Sequence, residues 1–145
     1  MRCNLNKMVA GLFVVALFGL TGCGDSSSTS VIPASVDSTG TWKGVYTSSI
    51  DGENTMTLSL LQSSSNLTGN YASTGGGLGT VSGTVSDKTA SVVITVTTPG
   101  CSGSLNGTGV INTSVNPQTM AFKYSGSTNA ACGGAESGTG TLTKQ

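Results

Sequence analysis

The stretch TASVVITVT, residues 89–97, has the clearest strand pattern in the sequence. Its apolar side chains recur at every second position and so share one face, which carries Ala90, Val92, Ile94 and Val96. A period of two is typical of an extended chain with one face against a core and the other towards solvent. The stretch therefore predicts a half-buried β-strand, and it sets the pattern to look for in the rest of the chain.

Short runs with the same alternation lie on both sides of this strand, separated by Gly, Asn, Asp, Ser and Pro. We predict eight strands, at residues 40–48, 54–62, 67–73, 78–86, 89–97, 101–112, 118–125 and 135–144. Consecutive strands joined by short turns predict an all-β fold, an antiparallel up-and-down meander that closes into a barrel. Closure is favoured because it removes exposed strand edges. A β-sandwich is the alternative.

The N-terminus has a different character. Arg2 and Lys7 precede an apolar run at residues 8–20, which is the arrangement of an export signal. This run is shorter than the stretch of about 20 residues that a membrane-spanning helix needs. It ends in Leu20-Thr21-Gly22-Cys23.

These last four residues resemble the cleavage box of bacterial lipoproteins, which has an aliphatic residue, two small residues and a cysteine. The resemblance implies that cleavage makes Cys23 the first residue and that its sulfur receives lipid, with palmitate among the acyl chains. Several acyl chains make a stable membrane anchor. In some bacteria an aspartate after this cysteine retains a lipoprotein at the inner membrane. Gly24 stands there, so we expect attachment to the outer membrane of a bacterial cell envelope.

Composition then divides the chain into three parts. Residues 1–22 are the predicted signal peptide. Residues 23–39 are rich in Ser, Thr, Gly and Asp and poor in apolar side chains, so we expect a lipidated, flexible tether. Residues 40–145 are the predicted β-barrel domain.

Two cysteines remain for the exported domain, Cys101 and Cys132. In an oxidising compartment they are expected to form a disulfide bond. A metal site needs more ligands than this pair, and the chain contains no histidine. We therefore expect no metal and no cofactor.

The charged residues exclude several classes of function. Without residues 1–22 the chain has four lysines and six acidic residues, a net charge of −2, so it lacks the basic surface of a nucleic-acid-binding protein. The absence of histidine excludes Ser-His-Asp and Cys-His catalysis. Acidic residues lie mostly in the tether or in predicted turns. Glu136 lies in a strand, where we expect it to face solvent or a lysine on a neighbouring strand. We predict that the protein is not an enzyme.

Two early segments resemble known barrels. Gly40-Thr41-Trp42 and Leu67-Thr68-Gly69-Asn70-Tyr71 are similar to the first and third strands of avidin and streptavidin, and lipocalins also have Gly-x-Trp on their first strand. The resemblance covers residues 40–73 and implies a barrel. Avidins line their biotin site with several tryptophans, whereas Trp42 is the only one here. The resemblance therefore extends to the fold and not to biotin binding.

Aromatic side chains are the candidate ligand-lining residues. An eight-stranded barrel either holds one small molecule or fills its interior with side chains. The candidates are Trp42, Tyr46, Tyr71, Phe122 and Tyr124. We expect these side chains to fill the interior of the barrel, and the alternative is that they line a ligand cavity.

Two functions follow from these alternatives. A filled interior favours a structural or protein-interaction module on the membrane surface, and this is the function that we predict from the sequence. An open cavity favours a barrel of lipocalin-like or avidin-like type that binds a small hydrophobic ligand. The expected partners are the membrane, through the N-terminal lipid, and either another protein or a small apolar molecule.

Overall fold

The computed structural model describes residues 36–145. The predicted signal peptide, Cys23 and the tether up to residue 35 lie outside the described residues. Eight strands and one short 3₁₀ helix follow in chain order: β1 Gly40–Ser48, β2 Gly52–Ser63, β3 Asn66–Ser73, β4 Leu78–Ser86, β5 Thr89–Val96, β6 Gly103–Asn112, β7 Thr119–Thr128, η1 Ala130–Cys132 and β8 Ala135–Lys144. No helix in this part of the chain is long and apolar enough to cross a membrane.

Each strand pairs antiparallel with the next one, and β8 pairs antiparallel with β1, which closes the sheet. The closing register runs from Trp42 opposite Lys144 to Ser48 opposite Gly138. The predicted eight-stranded up-and-down barrel is therefore confirmed, and the β-sandwich alternative is wrong. Closure leaves no strand of the barrel with an unpaired edge.

The strand boundaries follow the predicted ones at β1, β4 and β8 and differ by one to three residues elsewhere. The largest difference is at β7, which continues to Thr128 because its pairing with β6 extends to Gly103. The small polar residues after Tyr124 are typical of a turn, and their local preference is overridden by this pairing.

The inward side chains form one apolar core that confirms the alternation predicted for β5. All four inward residues of that strand are buried, from Ala90 to Val96. Glycines on β6 make room for the larger side chains of β7. A Cβ atom on Gly107 would lie 2.7 Å from Cζ of Phe122 and 3.0 Å from Cγ2 of Val92. The Phe122 ring can therefore fill the barrel here because β6 has no side chain at Gly107.

The two ends of the barrel differ. We call one end the base, formed by the turns at residues 64–65, 87–88 and 113–118 together with residues 36–39. The other end is the mouth, formed by the loops at residues 49–51, 74–77, 97–102 and 129–134. The mouth has the longer connections on average, and it includes η1 and both cysteines of the domain.

Trp42 and the preceding residues pack together at the base. The Trp42 side chain is fully buried, and its Nε1 donates a hydrogen bond of 2.9 Å to the carbonyl of Ser38. Ser38 is also fully buried, and its N–H donates to Oε1 of Gln62 at 2.7 Å. Val36 packs against the core, and its N–H donates to the carbonyl of Asp87 at 2.9 Å. Residues 36–39, which the composition assigns to the tether, thus pack onto the base.

Candidate functional site at the mouth

The mouth of the barrel contains a pocket of about 370 Å³, which we call the mouth pocket. All four mouth loops contribute to its rim, and inward side chains of the strands form its floor and walls. Its lining residues are Tyr46, Ile50, Asp51, Tyr71, Ser73, Gly75, Gly76, Gly77, Val96, Thr98, Cys101, Leu105, Thr128, Ala131, Cys132, Gly133 and Glu136. The lining combines apolar walls with hydroxyl groups and two carboxylates.

Hydroxyl groups from β1 and β3 meet in the floor of the mouth pocket. The Tyr46 and Ser73 hydroxyls share a hydrogen bond of 2.6 Å. The Tyr71 phenol lies beside them, under the 74–77 loop. Burial, and next the nearby Tyr46 phenol, raise the pKa of Tyr71 above its usual range. Tyr71 therefore stays protonated and keeps a hydrogen-bond donor at the pocket floor.

Glu136 brings a carboxylate into the same pocket. Its Oε1 accepts a hydrogen bond of 2.7 Å from the Tyr124 hydroxyl and one of 2.9 Å from the Ser48 hydroxyl. Ser48 is buried, and its oxygen also accepts the N–H of Ile50 at 3.1 Å, which ties the 49–51 loop to the site. Two side-chain donors thus fix the orientation of the carboxylate.

The expectation that Glu136 faces solvent or a lysine was wrong. Residues of a strand alternate between its two faces, and Glu136 has the same parity in β8 as the fully buried Leu142. Counting back from Leu142 through Gly140 and Gly138 would have placed Glu136 inside the barrel. The intervening glycines hide this signal, because they mark neither face as apolar.

Burial and the hydrogen bond with Glu136 together keep the Tyr124 phenol protonated. Burial, and then the hydrogen bond that the phenol donates to Glu136, raise the pKa of Tyr124 above its usual range. Loss of the phenolic proton would place a second negative charge beside the carboxylate. Tyr124 is therefore a fixed donor, which holds Glu136 in place.

A disulfide bond joins Cys101 and Cys132, as predicted, with their Cα atoms 5.6 Å apart. It links the 97–102 loop to the 129–134 loop, and both cysteines line the mouth pocket. Two further hydrogen bonds join these loops: the Asn129 N–H donates to the Ser102 carbonyl at 2.8 Å, and the Asn129 side chain donates to the Gly100 carbonyl at 3.0 Å. One side of the rim is therefore cross-linked.

The structure divides the five candidate aromatic residues between two regions. Tyr46 and Tyr71 line the mouth pocket. Trp42 lies at the base, and Phe122 and Tyr124 fill the interior with ring centroids 6.0 Å apart. The barrel is thus packed through its lower part and open only at the mouth.

The described residues offer binding chemistry rather than a metal centre. Residues 36–145 contain no group of three or more His, Cys, Asp or Glu side chains placed to hold a metal ion. The mouth pocket instead presents phenol and serine hydroxyls, one oriented carboxylate, and the side chains of Val96 and Leu105. Such a lining can hold a small molecule by burying its apolar part and orienting its polar part.

Comparisons with known proteins support the fold assignment. The sequence matches no protein-family model and no curated protein. The structure is similar to a redesigned β-barrel, mFAP1, solved bound to DFHBI, with 20% identity, a TM-score of 0.52, and coverage of 73% of this chain and 94% of that one. A second redesigned barrel, b11L5F_LGL, matches with 20% identity, a TM-score of 0.47, and coverage of 74% and 90%. The likeness to mFAP1 shows that this chain shares the closed β-barrel fold.

Proposed function

We propose that the protein is a non-catalytic, ligand-binding barrel that is attached by lipid to a bacterial cell envelope, at the outer membrane. The observation that carries the proposal is the mouth pocket, in which Tyr46, Tyr71 and Glu136 line a space of about 370 Å³. Pockets for small molecules typically measure about 300–1,000 Å³ and combine apolar walls with a few placed polar groups. The mouth pocket fits the lower part of that range.

The pocket changes the order of the two functions considered from the sequence. A barrel packed to both ends favours a structural or interaction module. Here the base is sealed by Trp42, whereas four loops leave the mouth hollow. A cross-linked rim supports binding in the same way, because a preformed site loses less conformational entropy when a ligand enters.

An interaction module remains the second candidate, and a row of three apolar side chains and one threonine on the outer surface supports it. Val110 pairs with Ala121, Ala121 with Thr141, and Thr141 with Val45, so these side chains lie side by side across four strands. Val110 is 54% exposed and Val45 is 50% exposed. Such a row offers a weak protein contact, and it is short compared with the larger patches that mark stable interfaces.

A fragment screen tests the ligand-binding proposal. The full chain in lipid nanodiscs is screened by ¹⁹F NMR against small fluorinated fragments, with empty nanodiscs as the reference. We expect hits that lose binding in Leu105→Trp, because Leu105 lines the pocket and a larger side chain there reduces its volume; thermal melting checks that this variant is folded. Val93→Trp makes a matched change on the outer face of β5, where the side chain is 37% exposed, and should keep every hit. Fragments that bind both variants equally, or no hits at all, would argue against a ligand site at the mouth.

Anchoring by lipid rests on the resemblance at Leu20-Thr21-Gly22-Cys23. We expect Cys23→Ser to abolish acylation, because the cysteine sulfur is the atom that receives the lipid. Labelling with an alkyne-tagged palmitate in a bacterial host measures this directly. Cys3→Ser is the matched control and should label like the wild type. Equal labelling of wild type and Cys23→Ser would contradict the lipoprotein assignment.

A further inference from the structure

The charge of the mouth pocket indicates which class of ligand it can bind. Two carboxylates, from Asp51 and Glu136, are among its lining residues, and no lysine or arginine of the described chain is. Asp51 is exposed at the rim, whereas Glu136 is half-buried deeper in the site. The pocket therefore has an excess of negative charge, and its more sheltered carboxylate has no cationic partner among residues 36–145.

Both hydrogen bonds of Glu136 reach the same carboxylate oxygen, and within the described part of the chain the other oxygen is left free. Both donors, Tyr124 and Ser48, bind Oε1. Within residues 36–145, no hydrogen bond reaches Oε2. Neutral donors offset only part of the cost of removing a carboxylate from water. A cationic group placed at Oε2 would form both a hydrogen bond and an ion pair with Glu136. Such charge-assisted bonds are stronger than those between neutral groups.

The rest of the lining suits the body of the same ligand. Val96 and Leu105 offer apolar walls, and Tyr46 and Tyr71 add aromatic rings. Aromatic rings attract ammonium groups through their quadrupole, and they also pack against apolar carbon. Among residues 36–145, no lysine or arginine lines this site, and η1 has only three residues, so an anionic ligand would find neither a cation nor a helix N-terminus here.

We propose that the mouth pocket binds a small organic ammonium ion, with its charged nitrogen on Oε2 of Glu136 and its apolar body against Val96, Leu105 and the two tyrosine rings. The inference rests on the proposed function and specifies its ligand class. The ligand must be small, because the pocket holds about 370 Å³. A single-ring aromatic or short aliphatic amine fits these requirements.

Three probes of similar size and different charge test the charge preference. They are 2-phenylethylamine, which is cationic at neutral pH, 2-phenylethanol, which is neutral, and 3-phenylpropanoate, which is anionic. Each is titrated by calorimetry into the full chain in zwitterionic nanodiscs, with empty nanodiscs subtracted. We expect the amine to bind at least about tenfold more tightly than the alcohol, and the carboxylate to bind most weakly. Added salt should weaken amine binding and leave alcohol binding unchanged, because salt screens charge.

A variant then assigns the preference to one residue. Glu136→Gln should weaken amine binding about tenfold while changing alcohol binding less than about twofold. Glu53→Gln removes the same charge from an exposed position outside the pocket and should bind the amine like the wild type. Thermal melting checks that each variant is folded. If Glu136→Gln does not fold, the comparison of the three probes on the wild type still decides the question.

The outcomes separate this inference from the proposed function. Equal or tighter binding of the alcohol or the carboxylate, lost in Leu105→Trp, would overturn the charge preference and leave the ligand-binding barrel standing. Unchanged amine affinity in a folded Glu136→Gln would also overturn the inference. If none of the three probes binds, the ammonium assignment fails, and the fragment screen alone decides whether the mouth binds ligands.

Discussion

Trp42→Ala is expected to destabilise the barrel by about 3 to 5 kcal/mol, the cost typical of truncating a buried aromatic side chain to alanine. Trp42 is fully buried at the base, so its removal leaves a cavity. The change also removes the donor that satisfies the Ser38 carbonyl. An unpaired buried carbonyl carries a desolvation cost of its own. The total is a large fraction of the 5 to 15 kcal/mol that stabilises a typical domain.

Thermal melting with circular dichroism measures this loss, which corresponds to a decrease of at least about 12 °C for a domain of this size. Trp42→Phe keeps most of the apolar filling and loses the hydrogen bond, so it should fall between alanine and wild type. Val110→Ala removes an apolar side chain that is 54% exposed and should melt within a few degrees of wild type. A wild-type melting temperature for Trp42→Ala would show that the base is not packed as described.

The second large effect concerns the disulfide at the mouth. Removing it with Cys101→Ala and Cys132→Ala together should lower the free energy of unfolding by roughly 3 to 4 kcal/mol, on the chain-entropy model for a loop of this length. The two cysteines are 31 residues apart in sequence. The bond also joins two of the four loops around the pocket, so its loss should loosen the rim.

Calorimetry in oxidising buffer tests this prediction, with an expected decrease in melting temperature of about 12 to 16 °C. Reduction of the wild-type protein should reproduce the melting temperature of the double variant, and reductant should have no effect on the variant itself. The same melting temperature for oxidised wild type and double variant would contradict a stabilising bridge.

The barrel could be predicted from the sequence because its strands follow one simple rule. In β5 the alternation from Ala90 to Val96 marks the inner face without ambiguity. Because this pattern repeats in eight strands joined by short turns, the sheet can cover its edges by closing into a barrel. The disulfide bond was equally predictable, because residues 40–145 contain only two cysteines.

The candidate site was harder to predict, because it depends on contacts between distant parts of the chain. Ile50, Gly76 and Cys132 come from three loops that meet only when the barrel closes. Glu136 follows a loop and precedes two inward glycines, so no apolar neighbour marks its side of β8 until Leu142. Its partner Ser48 lies 88 residues earlier in the chain, which no local pattern reveals.

The aromatic residues illustrate the same limit. Alternation places Tyr46, Phe122 and Tyr124 inside the barrel, yet it does not say how far along the axis each ring lies. Tyr46 and Phe122 lie opposite the same residue, Gly140, yet only Tyr46 lines the mouth pocket. Which rings line the mouth pocket thus depends on the three-dimensional packing of the side chains, which the alternation does not show.

The most direct test of this account is a crystal structure of the protein with 2-phenylethylamine at a concentration that saturates binding. We expect ligand density in the mouth pocket, with the nitrogen within hydrogen-bond distance of the Glu136 carboxylate and the ring against Val96 and Leu105. A mouth pocket that holds only water under these conditions, or a ligand bound only on the outer face near Val110 and Ala121, would contradict it.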